Sequence, residues 1–208
     1  MEKEENGFLS ETIEGWKEPC LDMSLELFAI KRYLTGKRLE DEFTEMIIDS
    51  KKTDLVDYFY ADSERILKSL ISLGRIPKID LICLIPKHDA DYSPTLQSLC
   101  FRLSKLFNVK YEVIFKNEKT ERKNTGNKKR GDRFDKVKDS LKIKRYLNDE
   151  EKNVLIIDDQ KTTGSTLIWA KKLLLDSGAK NIFAFCLGIN HNPEFFGKRN
   201  NGYKKRRN

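Results

Sequence analysis

Hydrophobic and polar positions follow one another along this chain in blocks that predict strands and helices in turn. Residues 79–85 (IDLICLI) form a continuous apolar run of strand length, which Pro86 ends. Ser93 suits a helix cap and Pro94 suits the first helical position, and apolar residues then recur at helical spacing. Because residues 109–115 have the pattern of a further strand, the whole segment predicts a βαβ unit.

The same order of elements returns in the last third of the chain. We expect a buried strand over 153–157, a turn over 158–164, a helix over 165–177 and a strand over 182–187. Two βαβ units predict an α/β fold with a mostly parallel sheet flanked by helices. Ligand sites in such sheets lie beyond the carboxyl ends of the strands, so the loops after the first and third of these strands are the candidates.

The amino-terminal third has a weaker pattern. The acidic segment 1–24 predicts a loose arm, residues 25–34 fit either a strand or a helix, and residues 39–48 fit a helix. A further helix is expected to be capped near residue 62 and to end at Gly74. We therefore divide the chain into the arm, an α/β domain over 25–190 whose clearest part is 79–188, and a tail over 191–208.

Length and composition limit the classes of protein that are compatible with this pattern. A chain of 208 residues with 38% hydrophobic residues can form one core, which argues against wholesale disorder. No apolar run approaches the roughly 20 residues that cross a bilayer, and the acidic start differs from a signal peptide, so we expect a soluble, cytoplasmic protein. Four scattered cysteines predict reduced thiols, with neither a zinc site nor a disulfide scaffold.

The net charge of +7 is unevenly distributed. Residues 116–145 contain 13 Lys or Arg against 5 Asp or Glu, and residues 198–208 contain 6 against none, so the rest of the chain is net acidic. The hydrophobic pattern disappears over 116–150, which predicts a mobile basic loop. The tail 191–208 interleaves aromatic and basic residues, as segments that bind single-stranded nucleic acid do, although a disordered solubilising tail has the same composition.

The strongest chemical signal is VLIIDDQKTTGST at residues 154–166. Asp158 and Asp159 follow an apolar strand and can accept hydrogen bonds from vicinal sugar hydroxyls. Gly164 allows close approach of an anion to the backbone, and the amides at the start of the following helix favour a phosphate. Further donors come from hydroxyl side chains: Thr162, Thr163, Ser165 and Thr166.

This combination predicts a sugar phosphate site. The motifs for nucleotide hydrolysis (G-x-x-x-x-G-K-[ST]) and for dinucleotide binding (G-x-G-x-x-G) do not occur in the chain, which disfavours both functions. The alternative is that the carboxylates cap a turn and the threonines solvate a loop.

The segment DDQKTTGST resembles the phosphoribosyl diphosphate (PRPP) signature of type I phosphoribosyltransferases, in which two acidic residues precede a T-T-G-x-T loop. The resemblance implies a type I phosphoribosyltransferase-like fold, with Asp158 and Asp159 as the catalytic pair that holds the ribose hydroxyls. It implies that the stretch from Lys161 to Thr166 wraps the 5′-phosphate. It also implies that Mg²⁺ is chelated mainly by PRPP, without a metal site built from protein side chains.

Within that family the chain is similar to the ComF-like branch, through IDLICLIP at 79–86 and through the basic stretch 119–143. By this resemblance the loop after the first strand would hold pyrophosphate, which points to Lys87, although a solvated surface lysine is an equal alternative. One departure concerns the four-cysteine zinc element with which ComF-like proteins usually begin, because the residues before Asp80 cannot supply it.

The resemblance implies transfer of the phosphoribosyl group from PRPP to an unidentified nitrogen acceptor, with release of pyrophosphate. Purine enzymes of the family usually have an acidic residue where Thr162 stands, so purine salvage is disfavoured. The alternative is a non-catalytic module that senses PRPP or nucleotide, or binds a partner. Such a module would act with single-stranded nucleic acid, through the basic loop and tail, in DNA uptake (competence) or retron-type antiviral defence. A homodimer or a protein complex would be ordinary for the family, and no membrane partner is expected.

Overall fold

In a computed structural model, the chain forms a seven-stranded sheet with helices on both faces. The structure describes residues 2–5, 7–14, 24–34, 41–87, 91–118, 136–147 and 153–191. The strands are β1 (Glu2–Glu5), β2 (Phe8–Ile13), β3 (Leu25–Leu34), β4 (Leu81–Leu84), β5 (Lys110–Tyr111), β6 (Phe115–Asn117), β7 (Leu141–Ile143), β8 (Asn153–Lys161) and β9 (Asn181–His191). The helices are α1 (Glu42–Asp49), α2 (Val56–Ser72), α3 (Pro94–Phe107) and α4 (Ser165–Asp176).

The strand order in the sheet is β1-β2-β3-β9-β8-β4-β5. All neighbours from β3 to β5 are parallel, whereas β1, β2 and β3 are joined in antiparallel pairs. Strands β6 and β7 form a separate antiparallel pair. The expected α/β architecture, a mostly parallel sheet flanked by helices, is therefore confirmed.

The central strands are apolar on both faces because helices cover both. In β8, Val154 and Ile156 face the core layer that contains α4, while Leu155 and Ile157 face the layer that contains α1, α2 and α3. This arrangement explains the continuous apolar runs in β4 and β8, since a strand buried on both sides needs no polar alternation.

Local signals predict α3 well and α2 only in part. The Ser93 hydroxyl accepts a hydrogen bond from the amide of Leu96 at 3.3 Å, and Pro94 begins α3, as expected. Helix α2 starts at Val56, not near residue 62. The Asp54 carboxylate accepts a local hydrogen bond from the Val56 amide at 3.1 Å. The Leu55 amide donates to the Thr95 hydroxyl at 2.9 Å, a tertiary contact that has no local sequence signal.

The prediction of a loose amino-terminal arm over 1–24 is wrong for the residues that the structure describes. Strands β1 and β2 extend the sheet beyond β3, and Phe8, Leu9 and Ile13 are buried. The short strand FLSETI has only a weak hydrophobic pattern of its own. It was missed because its pairing with β3 depends on a distant segment of the chain. Residues 15–23 lie outside the described ranges, and the division into a segment 1–24 and a domain 25–190 stays a prediction.

The strand expected over 109–115 is shorter than predicted. Only Lys110–Tyr111 pairs with β4, and Phe115–Asn117 turns away to pair with β7. Within the predicted basic loop 116–150, residues 136–140 are helical. The rest of that loop, at 119–135 and 148–150, and the tail at 192–208 lie outside the described ranges.

Two further expectations concern the cysteines and the membrane. Cys83, Cys100 and Cys186 are free and buried, as expected for small core residues, while Cys20 lies outside the described ranges. No helix within those ranges combines the length and apolar character that crossing a membrane requires.

Candidate functional site

The two adjacent carboxylates lie in the carboxyl-terminal part of β8. Leu84, the last residue of β4, pairs with Ile157, so Asp158 and Asp159 begin where the neighbouring strand ends. The predicted turn over 158–164 is shorter than expected, because β8 continues to Lys161 alongside β9. The acidic pair, Asp158 and Asp159, therefore projects from a central strand at the edge where α/β sheets bind ligands.

Asp158 has an environment that disfavours its charged form. Burial raises the pKa of its carboxyl group well above the usual range, and the negative charge of Asp159 raises it further. The Asp158 side chain accepts a hydrogen bond from the amide of Asp159 at 2.9 Å, which partly offsets the loss of hydration. Cys186 pairs with Asp158 on β9, and burial raises the pKa of its thiol as well.

Asp159 forms an ion pair with a lysine that the sequence did not indicate. The ammonium of Lys51, in the segment between α1 and α2, lies 3.2 Å from the Asp159 carboxylate. The Lys51 carbonyl accepts a hydrogen bond from the ammonium of Lys87 at 3.2 Å. The structure therefore links Lys87 to Asp159 only through Lys51. Lys51 itself stands in the unpatterned stretch SKKTD and has no motif that could have revealed it.

The residues after β8 form a short turn into α4. Thr162 is exposed, Gly164 has the left-handed φ of +78°, and α4 begins at Ser165. The hydroxyl of Thr163 lies 3.1 Å from that of Ser165 and accepts a hydrogen bond from the Ser165 amide at 3.4 Å. Thr163, Ser165 and Thr166 are half-buried, so hydroxyl groups and a helix start lie together beside the acidic pair.

Strand β2 covers part of this turn. Both carboxylate oxygens of Glu11 lie 2.7 Å from the ammonium of Lys161, and the Ile13 side chain packs on Gly164. A Cβ at position 164 would lie 2.7 Å from Ile13 Cγ2, so glycine is required here by close packing as well as by its φ. Lys161 thus has an internal carboxylate partner, which the expectation of a loose arm had missed.

Tyr33 on β3 is a further polar group near the acidic pair. Its hydroxyl is buried and has no hydrogen-bond partner among the described residues. Burial raises the pKa of this phenol, and the negative charges of Asp159 and Asp158 contribute to the shift. Its ring packs on Gly188, where a Cβ would lie 2.9 Å from Tyr33 Cδ1.

Protein side chains alone do not form a metal site in the part of the chain that the structure describes. No group of three or more His, Cys, Asp or Glu that could hold a metal ion occurs there. Asp158 and Asp159 offer the oxygen ligands that Mg²⁺ prefers, so they fit an ion that arrives with its own anionic ligand.

Neither a protein-family model nor a curated protein matches the chain. Among solved structures, a hypoxanthine phosphoribosyltransferase from Staphylococcus aureus is 15% identical and covers 71% of this chain and 82% of its own, with a TM-score of 0.38. Similarity at this level does not assign the chain to a family.

Proposed function

We propose that this protein binds PRPP at the acidic pair and the adjoining turn, and that it is a ComF-like phosphoribosyltransferase. The observation that carries the proposal is the continuity of the site. Asp158 and Asp159 lie in the carboxyl-terminal part of a central parallel strand, and after Lys161 a turn rich in hydroxyl groups leads into the start of α4. Carboxylates suit the ribose hydroxyls, and the turn with its helix start suits the 5′-phosphate.

The proposed phosphate ligands are the residues of the turn and of the first helical positions. They are Lys161, Thr162, Thr163, Gly164, Ser165 and Thr166. Lys87 is proposed to bind the pyrophosphate group, and the contact of its ammonium with the carbonyl of Lys51, whose side chain pairs with Asp159, supports this role. Mg²⁺ would enter bound to PRPP, where it neutralises charge on the pyrophosphate.

The proposed reaction is displacement at the anomeric carbon of the ribose. A nitrogen nucleophile forms the new C–N bond, the C–O bond to pyrophosphate breaks, and the electron pair leaves with the pyrophosphate. Positive charge develops on the sugar ring during this exchange. Asp159, which pairs with Lys51 in the free protein, would stabilise that charge from a fixed position on the strand. The positive charge on the sugar would favour the ionised form of Asp158, which would then contribute as well.

The cover provided by β2 imposes a condition on phosphate binding. The carboxylate of Glu11 already takes up two of the three N–H donors of the Lys161 ammonium. Phosphate and Glu11 would therefore compete for the same cation. Glu11→Gln is expected to strengthen the binding of ribose 5-phosphate, because the neutral amide competes less well than a carboxylate.

Binding of PRPP with Mg²⁺ provides the test of the proposal. PRPP should raise the melting temperature, and the double variant Asp158→Asn with Asp159→Asn should abolish that increase. Asp176→Asn is a matched control, since Asp176 lies at the opposite end of α4 and pairs with Lys172 at the surface. If PRPP and Mg²⁺ leave the melting temperature of the wild-type protein unchanged, the proposal is wrong.

Turnover separates the enzyme from a binding-only module. Incubation with PRPP and a pool of nucleobases should release pyrophosphate if the protein is a transferase. Binding without turnover would favour a sensor that acts with single-stranded nucleic acid. The basic loop 116–150 and the tail 191–208 suggest that alternative, and residues 119–135, 148–150 and 192–208 of them lie outside the described ranges.

A further inference from the structure

The segment that contains Lys51 is hydrogen-bonded to the start of α3. The Ser93 hydroxyl donates to the carbonyl of Ser50 at 2.6 Å, and the Thr95 hydroxyl donates to the carbonyl of Thr53 at 2.7 Å. Ser50, Ser93 and Thr95 are all buried. The backbone at residue 51 is therefore held by hydrogen bonds on both sides, which fixes the point from which the Lys51 side chain extends.

The segment that carries Lys87 is held in a similar way. The side-chain amide of Asn117 donates to the carbonyl of Lys87 at 2.7 Å and to that of Pro86 at 3.2 Å. The Lys87 ammonium then reaches the carbonyl of Lys51, which is a neutral partner and leaves its positive charge uncompensated by that contact. Two anchored segments thus contact each other through Lys87 and the backbone of Lys51, and the Lys51 side chain reaches Asp159.

A ligand could displace Lys51 from its ion pair with Asp159. The side chain of Lys51 is 34% exposed, whereas that of Asp159 is 14% exposed, so the lysine side chain is the more accessible member of the pair. A ligand whose hydroxyls occupied Asp159 would displace this ammonium and leave it free for an anion. The flexible side chain of a lysine allows its ammonium to move from Asp159 to an anionic group of the ligand, because an ammonium binds phosphate as a point charge without a fixed geometry.

We propose that Lys51 is a binding residue for the pyrophosphate group of the ligand and acts together with Lys87. The inference rests on the proposed function, because it presumes that PRPP binds with its 5′-phosphate at the 161–166 segment. The pyrophosphate group then lies on the other side of the ribose, where Lys51 would bind it. In the free protein Lys51 neutralises Asp159. In the complex Asp159 binds ribose hydroxyls, and the ammonium of Lys51 moves to the pyrophosphate oxygens.

The test compares two ligands that represent the two ends of PRPP. Calorimetric titrations with ribose 5-phosphate, with inorganic pyrophosphate plus Mg²⁺, and with PRPP plus Mg²⁺ are performed on wild type, Lys51→Ala, Lys51→Arg and Lys52→Ala. Lys52 is the exposed neighbour and serves as the matched control. Lys51→Ala should weaken the binding of pyrophosphate and PRPP roughly tenfold to hundredfold, the range for loss of a charged hydrogen bond.

Ribose 5-phosphate should bind Lys51→Ala as well as or better than wild type, because Asp159 is freed. Lys51→Arg should retain most of the pyrophosphate affinity, and Lys52→Ala should equal wild type. An equal loss for ribose 5-phosphate and pyrophosphate would show that Lys51 only supports Asp159, and unchanged pyrophosphate binding in Lys51→Ala would also overturn the inference. If wild type binds neither ribose 5-phosphate nor PRPP, the proposed function itself fails.

Discussion

Both carboxylate oxygens of Glu11 lie 2.7 Å from the ammonium of Lys161, a contact that joins residues 150 positions apart. The side chains of Lys161 and Glu11 are only 13% and 20% exposed. The pair ties β2 to the end of β8, and with Ile13 on Gly164 it makes the amino-terminal strand part of the candidate site.

Removal of one partner of this pair should destabilise the protein. We expect Glu11→Gln or Lys161→Met to lower the free energy of unfolding by about 1–3 kcal/mol, somewhat less than for a fully buried pair. The double variant should recover part of the loss, because neither charge is then left without a partner. Urea unfolding of all four proteins measures this coupling, and strictly additive effects would contradict it.

Gly164→Ala should lower the free energy of unfolding more than an ordinary substitution of a glycine with positive φ does. The new Cβ would meet Ile13 Cγ2 at 2.7 Å and would add steric strain at a φ of +78°. We expect a loss of about 2–4 kcal/mol in the free energy of unfolding, from overpacking combined with left-handed strain.

Gly74→Ala is the matched control for that prediction. Gly74 has a similar φ of +65°, but no atom lies within 4 Å of a Cβ built there. It should therefore lose only about 1–2 kcal/mol, the cost of the backbone conformation. Thermal or urea unfolding compares the two variants, and equal losses would show that the Ile13 contact is not important.

Tyr33→Phe should leave the stability unchanged or raise it by about 1 kcal/mol, because the buried hydroxyl has no partner among the described residues. Tyr92→Phe is the contrasting variant, since the Tyr92 hydroxyl donates to the carbonyl of Phe115 at 2.6 Å. That variant should lose about 1 kcal/mol. A loss of stability in Tyr33→Phe similar to that in Tyr92→Phe would mean that the Tyr33 hydroxyl has a partner after all.

Asp158→Asn should change the dependence of stability on pH. Since burial and Asp159 raise the pKa of Asp158 in the folded protein, the folded state keeps this proton at pH values where the unfolded chain has lost it. The contribution of Asp158 to stability therefore falls as pH rises from about 4, the pKa of an unfolded aspartate, through its higher folded-state pKa. At pH values above the folded-state pKa, the full loss of stability caused by burying the charged carboxylate remains.

Asparagine is neutral at every pH and can still accept the hydrogen bond from the Asp159 amide. Asp158→Asn should therefore be more stable than wild type near neutral pH, and this advantage should disappear as the pH approaches 4. Urea unfolding from pH 4 to pH 8 provides the measurement, with Asp176→Asn as the surface control. A stability difference that is constant over this range would show that Asp158 keeps an ordinary pKa.

The parts of the fold that could be predicted are those with strong local patterns. The apolar runs in β4 and β8 and the Ser93-Pro94 start of α3 are properties of short stretches of chain, and the structure agrees with them. Predictions that needed partners were weaker. Strand β2 and the first turn of α2 depend on hydrogen bonds to distant segments, which a local pattern does not reveal.

The amino-acid sequence alone placed the acidic pair and the 161–166 segment next to each other at a junction between a strand and a helix, because these residues are contiguous and each has a clear local preference. Only the tertiary structure placed Glu11, Tyr33 and Lys51 around them. The order of strands in the sheet brings Glu11 and Tyr33 to these positions, and the hydrogen bonds that anchor the segment after α1 bring Lys51 there. Such long-range contacts follow from how separate elements pack, and packing is a property of the whole chain.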